Sequence, residues 1–152
     1  YTDNEKANRD VAIKKAKKER WKFVLSNSIQ QNMPAKVDKY SSLILNDNID
    51  DTDTIGVVRN FYKKNKYHER LIALNRLLYT KNNSYINALS LASTLIKFSK
   101  ENVAIAECKQ ILQLVEPYIK TLPAVNTGSY YVTNSQVLIK EGKPAAARKE
   151  LL

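Results

Sequence analysis

Apolar residues recur at helical spacing along most of this chain. Within residues 87–116, Ala88, Leu91, Ala92 and Leu95 fall on one face of a first helix by the i, i+3, i+4, i+7 rule. Ala104, Ile105, Cys108, Ile111 and Leu112 do the same for a second, after a break at Ser99, Lys100 and Glu101. Small residues, Ala92 and Ala104, stand where two antiparallel helices come closest. Elsewhere the pattern predicts one long helix over residues 4–31, capped by Asp3 or Asn4. Pro34 opens the next helix, which carries Val37, Tyr40, Leu43 and Ile44. The polar run at 46–54 is a loop ending in cap residues. Helices follow over 53–64, 67–81, 84–98 and 101–116, with Ser84 as a cap after the Asn82 and Asn83 turn. A last pair spans 127–141 and 144 to the end, with Pro144 in a first turn.

The pattern also repeats. A step back of 34 residues takes Leu91, Leu95, Ile105, Cys108, Ile111 and Leu112 to Val57, Phe61, Leu71, Leu74, Leu77 and Leu78, all apolar. A second step reaches Phe23, Asn27, Val37, Tyr40, Leu43 and Ile44, where only Asn27 breaks the pattern. Going forward, the register returns after 43 residues: Ala92 maps to Ser135, Leu95 to Leu138, Ala104 to Ala147 and Cys108 to Leu151. The extra residues belong to 117–126, where Pro117 and Pro123 interrupt any continuous helix.

This order and spacing resembles the tetratricopeptide repeat (TPR), a helical hairpin that recurs along a chain. Tyr67 matches the family's aromatic at the start of a second helix, and Gly142 its turn glycine. The repeats are degenerate, with Val58 and Arg70, and Val24 and Lys36, where the family has small residues. The resemblance implies an all-α fold, a right-handed solenoid of antiparallel hairpins. It makes residues 1–152 a single domain, with 1–48 a basic N-terminal helical pair and 50–152 three TPR-like hairpins. Such a module binds a peptide or partner helix in a concave groove lined by the first helix of each hairpin. Carried over by register, the groove positions are Ile55, Arg59, Tyr62 and Lys63, then Leu89, Ser93, Ile96 and Lys97, then Val132, Gln136, Ile139 and Lys140. Lysine recurs at the equivalent place in all three, giving an apolar floor a basic edge suited to an acidic partner. The family's clamp for a C-terminal carboxylate is not expected, because Ile55, Arg59 and Leu89 stand where it needs Asn and Lys.

Charge adds a second candidate surface. The formal net charge is +10, and residues 14–22 hold six basic residues, Lys14, Lys15, Lys17, Lys18, Arg20 and Lys22, against one acid. Gathered lysines can bind phosphates by releasing counterions, or meet anionic lipid, so nucleic acid and an anionic membrane surface are the alternative partners. A solvated helix face is the plainer account.

Catalysis finds little support, and the chain reads as no enzyme. His68 is the one histidine and sits at the polar start of a helix, an ordinary solvated position. Gly56, Gly128 and Gly142 are isolated, so no phosphate loop forms. Asp47, Asp50, Asp51 and Asp53 crowd one loop without the glycine and closing Glu of a calcium site, and helix capping accounts for them. No cofactor or metal is implied. A lone cysteine, Cys108, excludes an internal disulfide and lies on the buried stripe as a core thiol. Nothing approaches a transmembrane span, and the opening residues are polar and charged, unlike a signal peptide. The chain begins without Met, and Leu151 and Leu152 fall inside an expected helix, so it reads as a fragment whose last apolar face is covered by residues beyond it. Compartment and oligomeric state stay open.

Overall fold

A computed structural model describes residues 2–151, and among them there are helices and turns but no strand. The helices are α1 (Asp3–Gln30), α2 (Pro34–Asp47), α3 (Thr52–Lys64), α4 (His68–Lys81), α5 (Tyr85–Phe98), α6 (Asn102–Val115), α7 (Ala124–Lys140) and α8 (Pro144–Leu151). A 3₁₀ segment, Glu116–Thr121, stands before α7. The all-helical expectation therefore holds, and most boundaries fall within a residue or two of the periodicity. The exception is α7, which starts earlier because Pro123 serves as its N-cap instead of breaking it.

Local chemistry explains the ends. Thr2, rather than Asp3 or Asn4, caps α1: its hydroxyl accepts from the Glu5 amide at 3.2 Å, and the Glu5 carboxylate accepts from the Thr2 amide at 3.0 Å. Ser84 caps α5 as expected, accepting from the Asn87 amide. Pro34 and Pro144 each take the first turn of a helix, where the missing N–H costs nothing. Gly142, at φ 76°, turns the chain between α7 and α8.

The chain forms two compact units, one ending at Asn65 and the other beginning at Lys66. In the first, α3 packs against the α1 and α2 pair. Leu25, Val37, Ile44, Leu45 and Val58 are buried here. Phe23, by contrast, is 68% exposed and Val57 49% exposed, although the repeat register aligns both with buried Leu91. The reason is angular. Each residue turns a helix by about 100°, so Phe23 lies across α1 from Leu25, and Val58 takes the inward place beside Val57.

In the second unit α5 is central, packing on α4, α6 and α7. Its Ala88, Leu89, Leu91, Ala92, Leu95 and Ile96 share one buried cluster with Ala104, Cys108, Ile111, Leu112 and Val115 of α6 and Tyr130 and Val137 of α7. Ala92 is fully buried and Ala104 nearly so, and the recorded close contact is the Cys108 thiol donating to the Ala92 carbonyl at 3.4 Å. Burial pushes that thiol up to about 12, so Cys108 is the inert core thiol the pattern predicts. Buried Asn75 ties α4 to α5, donating to the Ser90 carbonyl and the Thr94 hydroxyl. Leu138, expected between helices as the equivalent of Leu95, is only half-buried, because its neighbour Val137 points inward instead. Leu151 is 56% exposed, and Leu152 lies outside the described residues.

Candidate interaction surfaces

The basic stretch of α1 divides in two. Lys18 and Lys22 reach the acidic loop: Lys22 Nζ lies 2.9 Å from Asp51, and Lys18 Nζ 3.7 Å from Asp47 and 3.8 Å from Asp51. Asp51 in turn caps α3, accepting from the Thr54 amide at 3.2 Å. Burial opposes ionisation of this carboxyl, but the Lys22 ammonium and the Thr54 amide and hydroxyl outweigh it and hold the group below the usual aspartate value. The acidic run is thus both a cap and a clasp on α1, a pairing that sequence spacing could not reveal. Lys17 packs over the Trp21 ring, 5.4 Å from its centroid. Lys14, Lys15 and Arg20 remain exposed with no recorded ion pair among the described residues. Residues 2–17 are exposed on every side, so this half of α1 carries no packed face.

The clasp makes a pH-dependent prediction. Asp51→Asn keeps a capping oxygen and removes the charge, whereas Asp51→Ala removes both and should cost about 1–2 kcal/mol. Because the folded carboxyl ionises below its unfolded value of about 3.9, its charge stabilises fully above that pH and progressively less as pH falls beneath it. Thermal melts should show the wild-type advantage over Asp51→Asn at neutral pH shrinking below about pH 4. An advantage that persists there at full size contradicts the clasp.

The carried-over groove positions have mixed fates. Tyr62, Leu89 and Ile96 are buried, at 3%, 1% and 1% exposure, so they do not line an open groove. Tyr62 donates its hydroxyl to the Asp38 carboxylate of α2, while Leu89 and Ile96 belong to the cluster that joins α5 to α7. These positions serve helix stacking, which the family analogy had assigned to ligand. Ile55, Arg59, Ser93 and Gln136 are half-buried, and burial lowers the Arg59 guanidinium from its ordinary value. Lys63, Lys97 and Lys140 are exposed. Lys140 has a structural use as well: its ammonium lies 3.4 Å from the Ser99 carbonyl at the end of α5, where a cation complements the helix dipole.

Only on α7 do the carried-over apolar positions face outward. Val132 is 48% and Ile139 56% exposed, and Val125, one further step along the same line, is 83% exposed. Spacings of seven residues place all three on one side of the helix.

A cleft of about 670 Å³ that the sequence did not signal opens between α4, the end of α5 and the start of α6. His68 stacks on Phe98 at 4.1 Å between ring centroids, 9° from parallel, and its Nδ1 is buried without a hydrogen-bond partner. The histidine is therefore a packed ring and not the solvated one expected. Across the cleft Arg76 and Glu107 pair through two contacts, one of 3.1 Å, and that bond raises the guanidinium pKa. Lys66 and Lys100 are matched by Glu69 and Glu101, so the cleft selects neither sign of charge. No cluster of His, Cys, Asp or Glu fit to hold a metal occurs among the described residues, and none of their helices is long and apolar enough to cross a membrane. No protein-family model, curated protein or solved structure matches this chain.

Proposed function

We propose that this chain is a protein-interaction module built of tetratricopeptide-like helical hairpins, an adaptor that holds a partner polypeptide against its first helices. The observation that carries the reading is recurrent burial at the repeat spacing. Ala88 and Thr54, Ala92 and Val58, Leu95 and Phe61, and Cys108 and Leu74 are buried in pairs. So are the triplets Leu112, Leu78 and Ile44, and Ile96, Tyr62 and Ser28. Like hairpins have this property, because equivalent helices turn the same stripe inward. The exposed lysines favour acidic partners and mainly raise the association rate. The alternative is a polyanion-binding module working through Lys14 and Lys15 on the exposed half of α1 and the exposed Arg20 beyond it.

Charge reversal separates the two. Lys63→Glu with Lys97→Glu is compared with Lys14→Glu, Lys15→Glu and Arg20→Glu, against an acidic amphipathic peptide, duplex DNA and anionic vesicles over a salt titration. Lys18 and Lys140 are spared because each has a structural contact. The adaptor reading expects peptide binding weakened by the first variant and little changed by the second. Steep salt dependence toward DNA or vesicles, lost only in the second variant, overturns it.

A further inference from the structure

The face of α7 bearing Val125, Val132 and Ile139 corresponds, in the 43-residue register, to the face of α5 bearing Leu89 and Ile96. On α5 those two side chains are covered, in one cluster with Tyr130 and Val137 of α7. On α7 the same places are open. The stripe spans 15 residues from Val125 to Ile139, about 21 Å at helical rise, the length of a four-turn helix. It thus continues the α5–α7 packing by one step and keeps its chemistry, with Val in place of Leu at 132 and Ile retained at 139.

Resting on the interaction-module reading, we propose that this face docks an acidic amphipathic helix of a partner protein, laid on α7 as α7 is laid on α5. The internal pair supplies the template for the occupant: an aromatic and an aliphatic residue seven apart, as Tyr130 and Val137 are, pressed on an aliphatic stripe. Charge supplies the rest. α7 holds no acidic side chain, and the exposed Lys97 and Lys140 stand at one end of the seam, where Lys140 reaches the Ser99 carbonyl. Acidic flanks on the incoming helix meet that basic end, while its apolar face covers the stripe.

The probe is a synthetic peptide of residues 124–140 carrying Gln136→Glu and Lys140→Glu, which presents the Tyr130 and Val137 face with acidic flanks. The protein is the full chain with Val132→Cys, labelled by a maleimide. Cys108 is fully buried with its thiol pushed up to about 12, so the new thiol reports alone. The expected result is ready labelling that slows several-fold with saturating peptide, and loss of peptide binding in Val132→Asp with Ile139→Asp. Both positions are exposed, and circular dichroism checks that the variant keeps its helices. Equal binding to wild type and the double variant overturns the docking face and leaves the module reading standing. Failure of the peptide to bind either overturns the docking proposal, while the module reading stands or falls on the charge-reversal comparison. A thiol at 132 that resists labelling without peptide, with a dimer in sedimentation, overturns the proposal in favour of a second copy of this chain.

Discussion

Leu95→Ala should destabilise the second unit by about 2–5 kcal/mol, the loss expected when a buried leucine is cut back in a core that relaxes only in part. Leu95 is 2% exposed in the central helix, in a cluster with side chains of α6 and α7. The control is Leu138→Ala, which removes the same atoms at the equivalent place in the next hairpin. Leu138 is half-buried, so its loss should be clearly smaller. Denaturant melts of the two variants decide it. Equal losses would mean that α7 buries Leu138 as α5 buries Leu95, contrary to the inward place Val137 holds here.

Ala92→Leu should cost about 1–3 kcal/mol by overpacking. Ala92 is fully buried, and the Cys108 thiol of α6 rests on its carbonyl, so three added carbons have no space without parting α5 from α6. Ala104, its expected counterpart across the pair, lines the cleft beside Phe98 and Val103. Ala104→Leu can extend into that cleft and should cost less. Thermal melts that rank the two the other way, or leave Ala92→Leu unchanged, would place the closest approach of these helices elsewhere.

The helices were legible in the sequence because their signals are local. Seven-residue runs set the stripes, prolines and a serine set the starts, and Gly142 marked a turn that its positive φ requires. What was not legible depends on angle and on partners distant in sequence. Phe23 and Val57 kept the apolar character of the repeat yet face outward, since an offset of one or two residues turns a side chain by about a quarter or a half of the helix. Three of the groove positions, Tyr62, Leu89 and Ile96, turned inward for a related reason. An apolar residue on the first helix of a hairpin suits a ligand-facing or a neighbour-facing place equally, and Leu89 and Ile96 took the second. The ties of Lys18 and Lys22 to Asp47 and Asp51 join residues some thirty apart, and the stacked His68 and Phe98 likewise. Opposite charge alone does not name such pairs.

The exposed half of α1 has a consequence for how order is kept along that helix. The packed turns around Leu25 and Ser28 supply the nucleus, which is the unfavourable step in helix formation. From there toward Thr2 the helix only propagates, one hydrogen bond per residue, with stability near balance and help from the Thr2 and Glu5 box and from spaced opposite charges such as Asp10 and Lys14. Its winding and unwinding are therefore graded along the exposed turns toward Thr2, while the remainder of α1 is locked to its unit's core. One continuous helix thus contains a cooperative segment and a non-cooperative one, and the join lies near Lys18, where the acidic clasp takes hold.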